Sequence, residues 1–508
     1  MSEVIKWMKE KNVFYLIAGF IFSVFSIARF NMVLSIYIWP FCFLHYLHKN
    51  HNKIIPLIIV SLCIMISNII RWNGCSNTNI LADIIMGIYF SIINILPFII
   101  DDIFYNKIAL WKNIFIFPLS VAICEFLFSF IPFANFNIYA YSHRNNLQFL
   151  QIISLFGCYF LSFIIALFSS VLDYAIFIYT VIDNKIITKF IYMYGIIVLI
   201  IYFFGVIRLL IPQNGETYNI GAALGKSQYL YEIGKESVLS IDEYINYINS
   251  TLYMANNSNC QIMTYAEEAF AIMIEDKKEI IKRTSNLAEY YNIFVLLSLD
   301  ICYNDTYNTN EAILISDEGR VLYNYQKQHL IPYIEKDYYE EMDKVQVIDT
   351  KLGKITVAIC YDINFPYYLN SLSREHFDIL LVPSWDWDSI AEYHSNEAKY
   401  RAIEGGFNLI KNTANGIVIS NDVRGRALSY YIGKDCLDYF VVSTVNQKGV
   451  ITLYSYFGIF FNYLYIAALI CFLISGKIEN CFCNRQRRAS SIFSGSKELI
   501  GSNDDNDN

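Results

Sequence analysis

The sequence predicts a two-part protein: a bundle of membrane helices followed by an α/β layered domain. Three observations point there. The chain has 508 residues, of which 55% are hydrophobic and only 17% charged. Charge is unevenly spread, because residues 1–212 hold only 21 of the 84 charged side chains. From about residue 218 the pattern changes to short β-rich runs separated by charged helical stretches. A chain this long calls for two or three units. A composition this apolar, without a repeat, excludes a disordered or fibrous protein. A net charge of −8, with no basic cluster in the second part, argues against nucleic acid as a partner.

Charge-free runs at 12–28, 30–48, 54–70, 84–100, 126–143, 145–172 and 190–207 fill the first part. A spanning helix needs roughly 20 mostly apolar residues, so these predict helices over about 12–30, 31–48, 54–71, 81–100, 108–132, 148–172 and 190–212. An eighth falls within 449–476, which carries no charge. The first run is too long, and too soon followed by others, for a cleaved signal peptide.

Orientation follows from the placement of lysine and arginine. One set of alternate loops carries nine: Lys6, Lys9, Lys11, Lys49, Lys53, Lys107, Lys112, Lys185 and Lys189. The other carries three: Arg29, Arg71 and Arg144. The lysine-rich side is then cytoplasmic, and seven crossings place residues 213–448 on the extracytoplasmic side. The eighth helix returns the chain to a basic tail at Lys477–Arg488, and the polar residues 477–508 read as disordered. The expected organisation is 1–212 membrane, 213–448 soluble, 449–476 a closing helix and 477–508 a cytoplasmic tail.

Glu125 interrupts an apolar segment, where an ionised carboxylate is costly. It reads either as a hydrogen-bonded packing residue or as a headgroup or proton-handling site. His45 and His48, near a helix end, read as interfacial. Of the twelve cysteines, four fall in the soluble part without a C-x-x-C or a His-spaced pair, so no metal site is predicted. In an oxidising compartment Cys260, Cys302 and Cys436 are available for a disulfide, with no pairing readable. Asn249, Asn256 and Asn304 open glycosylation triplets, meaningful only in a eukaryotic host.

In the second part, strands are predicted at Asn219–Leu224, Gln261–Tyr265, Ile293–Leu299, Glu311–Ser316, Lys354–Cys360, Asp378–Pro383 and Gly416–Ser420. Helices are predicted over Ser240–Asn256, Ile274–Tyr291 and Ser389–Phe407. Alternation of this kind argues for an α/β layered domain of about 235 residues. Asp317–Arg320 and Val423–Arg426 read as glycine-containing hairpin turns.

Three strand ends carry chemistry. Glu267 follows Tyr265-Ala266, Lys327 lies in Tyr325–Pro332, and Cys360 begins Cys360-Tyr361-Asp362. A thiol is a few per cent ionised at neutral pH, with a pKa of about 8.5, and needs a base to become a nucleophile. A carboxylate serves as that base and can return the proton to a leaving group. A neighbouring ammonium favours the thiolate and stabilises an oxyanion.

In order and spacing, these segments resemble the carbon–nitrogen hydrolase (nitrilase) superfamily with its Glu-Lys-Cys triad. Within it, the arrangement of several helices, an exported domain and one closing helix is similar to the apolipoprotein N-acyltransferase family. Further likenesses are Arg401–Glu404, Asn412–Gly416 and Thr452–Gly458. The sequence departs from the family in three places. Tyr265-Ala266-Glu267 stands for Trp-Pro-Glu, Cys360-Tyr361-Asp362 for Cys-Tyr-Glu, and Pro383–Trp387 for an Asn-Asp-Ala-Trp-Phe-Gly stretch. These mark a divergent member.

The resemblance implies an α-β-β-α sandwich. It makes Glu267 the base, Lys327 the triad lysine, Cys360 the nucleophile and Glu335 a supporting glutamate. Tyr361 would supply an oxyanion-hole N–H, and Tyr361 and Asp362 would contact acyl group or acceptor. Glu268 reads as a surface charge, Glu404 as a packing ion pair, and His394 and Trp385 as structural. The implied partners are a phospholipid acyl donor and a diacylglyceryl-cysteine lipoprotein acceptor, with the chain a membrane-bound monomer needing no cofactor. Three other readings stay open: a membrane-tethered amidase using water, an acyltransferase for a different amine, and a catalytically silent scaffold.

Overall fold

The computed structural model describes residues 12–475 apart from 51–53, 77–78, 106–109, 134, 180–183, 214, 227–238, 304–306, 333, 336–337, 339–344 and 434–437. The expected tail at 477–508, Cys436 and the triplet that Asn304 opens (304–306) lie outside the described residues.

The first part is helical: α1 (Val13–Val24), α2 (Val33–Lys49), α3 (Ile54–Trp72), α4 (Ile80–Phe104), α5 (Leu110–Phe128), α6 (Cys158–Tyr179) and α7 (Asn184–Leu210). Helices at Ile54–Trp72, Ile80–Phe104, Cys158–Ile176 and Thr188–Leu210 are long and apolar enough to cross a membrane. Val13–Val24 and Phe460–Ser475 are apolar but shorter. The 12 described residues of α1 rise about 18 Å at 1.5 Å each, short of a hydrocarbon core of about 30 Å. Among the described residues, length and composition alone single out four of the expected eight helices as spans.

The expected helix over 148–172 is broken. Two single turns, Leu147–Leu150 and Ile153–Phe156, precede Gly157, whose φ is +79°. A Cβ there would meet the Tyr454 ring at 2.4 Å, so only glycine lets the two segments close. The long helix α6 starts afresh at Cys158.

The second part contains β1 (Thr217–Ala223), α8 (Ile241–Asn257), β2 (Cys260–Tyr265), β3 (Phe270–Met273), α9 (Lys277–Tyr291), β4 (Phe294–Tyr303), β5 (Tyr307–Ile315) and β6 (Val321–Gln326). It continues with β7 (Ile348–Thr350), β8 (Gly353–Val357), α10 (Pro366–Ser373), β9 (Ile379–Trp385), α11 (Asp388–Gly405), β10 (Asn408–Ala414), β11 (Ile417–Asn421), β12 (Ala427–Ile432) and β13 (Phe440–Asn446). Two more helices close the described chain, α12 (Leu453–Phe457) and α13 (Phe460–Ser475). Helix α8 starts where Ser240 and Glu243 form a capping box, satisfying two otherwise orphaned N–H groups.

One sheet has the order β13-β1-β2-β4-β5-β6 with β3 beside β4, and the other β12-β11-β10-β9-β8-β7. Side-chain alternation explains the layers. Ile262 and Leu296 enter a core shared with Val357, Leu381 and Leu409 of the second sheet. Their neighbours Met263, Val295 and Leu297 face Ile248, Leu252 and Ile280 of α8 and α9. Helix α11 covers the second sheet with Ala398 and Ala402 and turns Tyr393, Tyr400 and Ile403 into the core of the membrane helices. The result is the expected α-β-β-α sandwich, with its last layer shared with the helical bundle.

Several charged groups in the bundle are held by protein partners. Glu125 accepts from the Tyr139 N–H at 2.7 Å, a packing role. His45 and His48 are not interfacial. Both bind Asp173, at 2.7 and 2.6 Å, and His48 also binds Asp101 at 2.8 Å, so the imidazoles tie α2, α4 and α6 together. Cys260 is a free thiol.

Candidate active site

Three strands deliver the triad residues to one edge of the two sheets. Glu267 stands just beyond β2, and its backbone N–H donates to Ser384 of β9 at 3.3 Å. Lys327 follows β6, its N–H bonded to the Asn310 carbonyl at 2.9 Å. Cys360 opens the 3-10 turn Cys360–Asn364 beyond β8 with φ at +45°, a left-handed conformation costly for a side-chain-bearing residue. The turn is held open-side up by Asp362, whose Oδ2 accepts from the Ile359 N–H at 2.9 Å.

Lys327 Nζ sits between two carboxylates, 2.7 Å from Glu267 Oε1 and 2.6 Å from Glu335 Oε1. The other Glu335 oxygen accepts from the Ile331 N–H at 2.6 Å. Asn310 Nδ2 donates to Glu267 at 2.8 Å and to Glu268 at 3.3 Å. Burial alone would discharge Lys327, but Glu267 and Glu335 outweigh it and hold its pKa well above the ordinary value. Burial raises the Glu335 pKa, with Lys327 opposing. Glu268 is raised well above its usual value by burial and by Asp300 and Glu267, so it is not the solvated charge expected of it.

Cys360 is 2% exposed. Burial first and the Glu267 charge second push its thiol well above the ordinary range, with Lys327 pulling the other way. The resting form of Cys360 is therefore the thiol. Sγ lies 3.8 Å from the Trp385 carbonyl, as a donor to it.

A second buried network flanks the thiol. His394 Nδ1 lies 2.7 Å from Asp386 Oδ1, and Nε2 lies 2.9 Å from Asn364 Oδ1. Lys411 Nζ donates to Asp386 Oδ2 at 2.5 Å, and Asn364 donates to Glu397. Although burial opposes it, the Lys411 charge leads in holding the Asp386 carboxyl down at about 2. Burial, then Lys411, lowers the His394 pKa.

Tyr361 and Asp362 part company. Tyr361 lines a cavity of about 680 Å³ with Cys360, whereas Asp362 is fully buried and engaged by protein donors. These are the Tyr325 hydroxyl at 2.5 Å, the Ile359 N–H, and the His329 N–H at 2.9 Å. The cavity is apolar and belongs to both parts of the protein. Helices α3 and α4 contribute Trp72, Leu81, Ala82, Ile85, Met86 and Tyr89; the catalytic loops contribute Ile331, Ile334, Trp385 and Trp387. Leu81, Ile85 and Ile334 are also exposed, so the lining reaches the outer surface of the helices.

Two groups of ligand-type atoms come within 4.8 Å of one another: Glu267, Glu268 and Glu335, and Cys360, Asp386 and His394. The Lys327 ammonium already occupies the first, and Lys411 and Asn364 engage the second, so both suit polar networks better than a cation. Sequence reasoning missed Asn310, Asp386, Lys411 and Glu397. Asn412-Thr413-Ala414, singled out from the sequence, does place Asn412 across the sheets, donating to the Ala223 and Thr264 carbonyls at 2.9 and 3.0 Å.

Comparison with known proteins matches this two-part build. Residues 18–171 match the apolipoprotein N-acyltransferase N-terminal domain, and residues 249–447 match carbon-nitrogen hydrolase. The chain resembles the apolipoprotein N-acyltransferase family in its first part and the carbon-nitrogen hydrolases in its second. An apolipoprotein N-acyltransferase from Wigglesworthia glossinidia brevipalpis is 28% identical over 206 residues, covering 37% of this chain and 39% of that one. A deaminated glutathione amidase from Dictyostelium discoideum is 32% identical over 136 residues, 24% of this chain and 46% of that protein. The chain thus spans about half the length of the curated relatives it matches, or less. Among solved structures, an amidase from Nesterenkonia sp. is similar with a TM-score of 0.40 and 18% identity, over 47% of this chain and 94% of that one. The match to that N-terminal domain and the four long apolar helices among the described residues indicate a membrane protein.

Proposed function

We propose that the protein is an N-acyltransferase that moves a fatty acyl chain from a membrane phospholipid to an amine through a thioester on Cys360. By family likeness, the acceptor is the N-terminal amine of a diacylglyceryl-cysteine lipoprotein. The observation that carries this reading is the shared cavity. An apolar space of about 680 Å³, walled by membrane helices on one side and ending at Cys360 on the other, suits an acyl chain better than a small polar amide.

Glu267 takes the Cys360 proton as sulfur attacks the ester carbonyl. The ester C–O bond then breaks, Glu267 returns the proton to the leaving oxygen, and a lysophospholipid departs. The incoming amine attacks the thioester, loses a proton to Glu267, and expels the thiolate, which is reprotonated. Lys327 and the Tyr361 N–H carry the oxyanion in both halves. Glu335 keeps Lys327 paired when Glu267 is neutralised by the transferred proton, so the ammonium is never left alone in a buried site. Residues 213–448 then stand on the extracytoplasmic side between a seven-helix domain at 1–212 and a closing helix within 449–476. Support for that topology is the nine-to-three split of basic residues between alternate loops.

Intact-mass spectrometry of the purified protein with phosphatidylethanolamine tests the scheme. A hydroxylamine-labile acyl adduct on the wild type, absent from Cys360→Ala, is expected. A folded protein that takes no adduct from any of several phospholipids, yet hydrolyses a small amide, would overturn it in favour of an amidase.

A further inference from the structure

A second groove, of about 360 Å³, lies at the junction of the two parts on a separate set of residues. Its apolar walls include Ile207 and Ile211, at the end of α7, with Ile451 just ahead of α12 and Leu453 opening it. All four are exposed. Its charged lining is basic, being Arg208 and Arg424, with Ser154 and Thr452 as the neutral polar residues.

Neither guanidinium has a carboxylate ion pair among the described residues. Arg208 donates to the Gln151 side chain and, at 3.2 Å, to the Val423 carbonyl, both neutral acceptors. Arg424 is only 4% exposed, and its Nη1 is buried with no hydrogen-bond partner. The neighbouring carboxylate, Asp422, is already engaged: Oδ1 accepts the N–H groups of Arg424 and Arg426 at 2.9 Å, and Oδ2 accepts Arg426 Nε at 2.6 Å. A buried, under-bonded guanidinium beside a second one is a costly arrangement unless an anion completes it. The flanking exposed apolar side chains, at the end of a helix long enough to cross a membrane, specify what kind of anion.

We propose that this groove binds the phosphodiester headgroup of an anionic phospholipid, with Arg208 and Arg424 on the phosphate and the four apolar side chains against the acyl chains. The site is separate from the catalytic cavity and does not depend on the acyl-transfer reading. Its occupant pins the Val423–Arg426 turn of the sandwich to the end of α7, where Arg208 and Gln151 already meet that turn.

Native mass spectrometry of the full chain in detergent, with added dioleoylphosphatidylglycerol or dioleoylphosphatidylcholine, tests this. The wild type is expected to retain phosphatidylglycerol at least about tenfold better than phosphatidylcholine, and to melt at a higher temperature with it. Arg424→Gln should lose that preference. Ile451→Glu leaves the buried arginines untouched and places a carboxylate in the mouth of the groove, so it should lose it too while melting normally without lipid. Equal retention of the two lipids, or an unchanged preference in folded Ile451→Glu, would overturn the proposal. So would an equal thermal shift with inorganic phosphate alone, or loss of the preference in Ala82→Trp, which fills the catalytic cavity instead.

Discussion

The N–H of Phe133, in the loop after α5, donates to the Tyr361 hydroxyl at 2.7 Å. The residue next to Cys360 is thereby bonded to the membrane part, and Phe136 stacks near its ring, with centroids 6.2 Å apart. Removing the hydroxyl by Tyr361→Phe keeps the ring and the backbone amide but leaves the Phe133 N–H without its acceptor. Acylation by phospholipid should slow by about tenfold, matching a lost hydrogen bond of about 1–2 kcal/mol. Stopped-time mass spectrometry of the adduct measures this, and an unchanged rate would show that the bond does not position Tyr361.

The charges around Cys360 set opposite signs on its thiol. Glu267 raises the Cys360 pKa, so Glu267→Gln should move the midpoint of the alkylation–pH curve downward. Lys327 lowers it, so Lys327→Met should move the midpoint upward. Both variants should nevertheless fail to form the acyl adduct, because one lacks the base and the other an oxyanion partner. Iodoacetamide rates between pH 6 and 11, read by mass, provide the check.

Lys411 and Asp386 form an ion pair with both side chains fully buried. Lys411→Met strands the carboxylate and should destabilise the protein by about 3–5 kcal/mol, whereas Lys411→Met with Asp386→Asn should recover much of that. Thermal unfolding in detergent distinguishes the two. Asp386 has a depressed folded-state pKa, so its contribution is present above about pH 4 and is lost as pH falls toward its folded value of about 2. The double variant should therefore show a flatter stability profile across that acid window.

Ala82 lies on the membrane-helix wall of the catalytic cavity. Ala82→Trp should fill the acyl end while leaving Cys360 in place. Acylation by long-chain phospholipid should fall by about a hundredfold or more, with a short activated ester affected only about twofold, since overfilling an apolar site penalises bulk and not chemistry. Equal losses for both donors would mean the acyl chain lies elsewhere.

The sandwich was legible because its central strands are short apolar runs. Phe294–Leu299 and Ile379–Val382 are buried on both faces and appear as continuous hydrophobic segments. The strands that escaped notice are the less regular ones. Val321–Gln326 and Ala427–Ile432 sit at sheet edges, with mostly exposed or half-buried side chains. In Asn408–Ala414, the buried Lys411, Asn412 and Thr413 disguise a central strand as polar. The triad segments were readable from their local words. The Asp386–Lys411 pair was not, since its members come from sequence positions 25 apart and meet only when β9 and β10 align. His45 and His48 misled for a similar reason: their partners Asp101 and Asp173 arrive on other helices.

Helix α11 bears on how the protein can be made and divided. Its Tyr400 hydroxyl bonds the Ala140 carbonyl at 2.7 Å, Glu404 accepts the Cys158 N–H at 2.7 Å, and Trp387, just ahead of it, donates to the Cys75 carbonyl at 2.9 Å. A fragment beginning near residue 213 would carry this helix with Tyr393, Tyr400 and Ile403 turned to water and Glu404 stripped of an amide partner. Such a fragment should be sticky and short-lived. During biosynthesis the helices of the first part emerge before α11 and offer it a template, so the last layer of the sandwich is assembled on the membrane rather than brought to it.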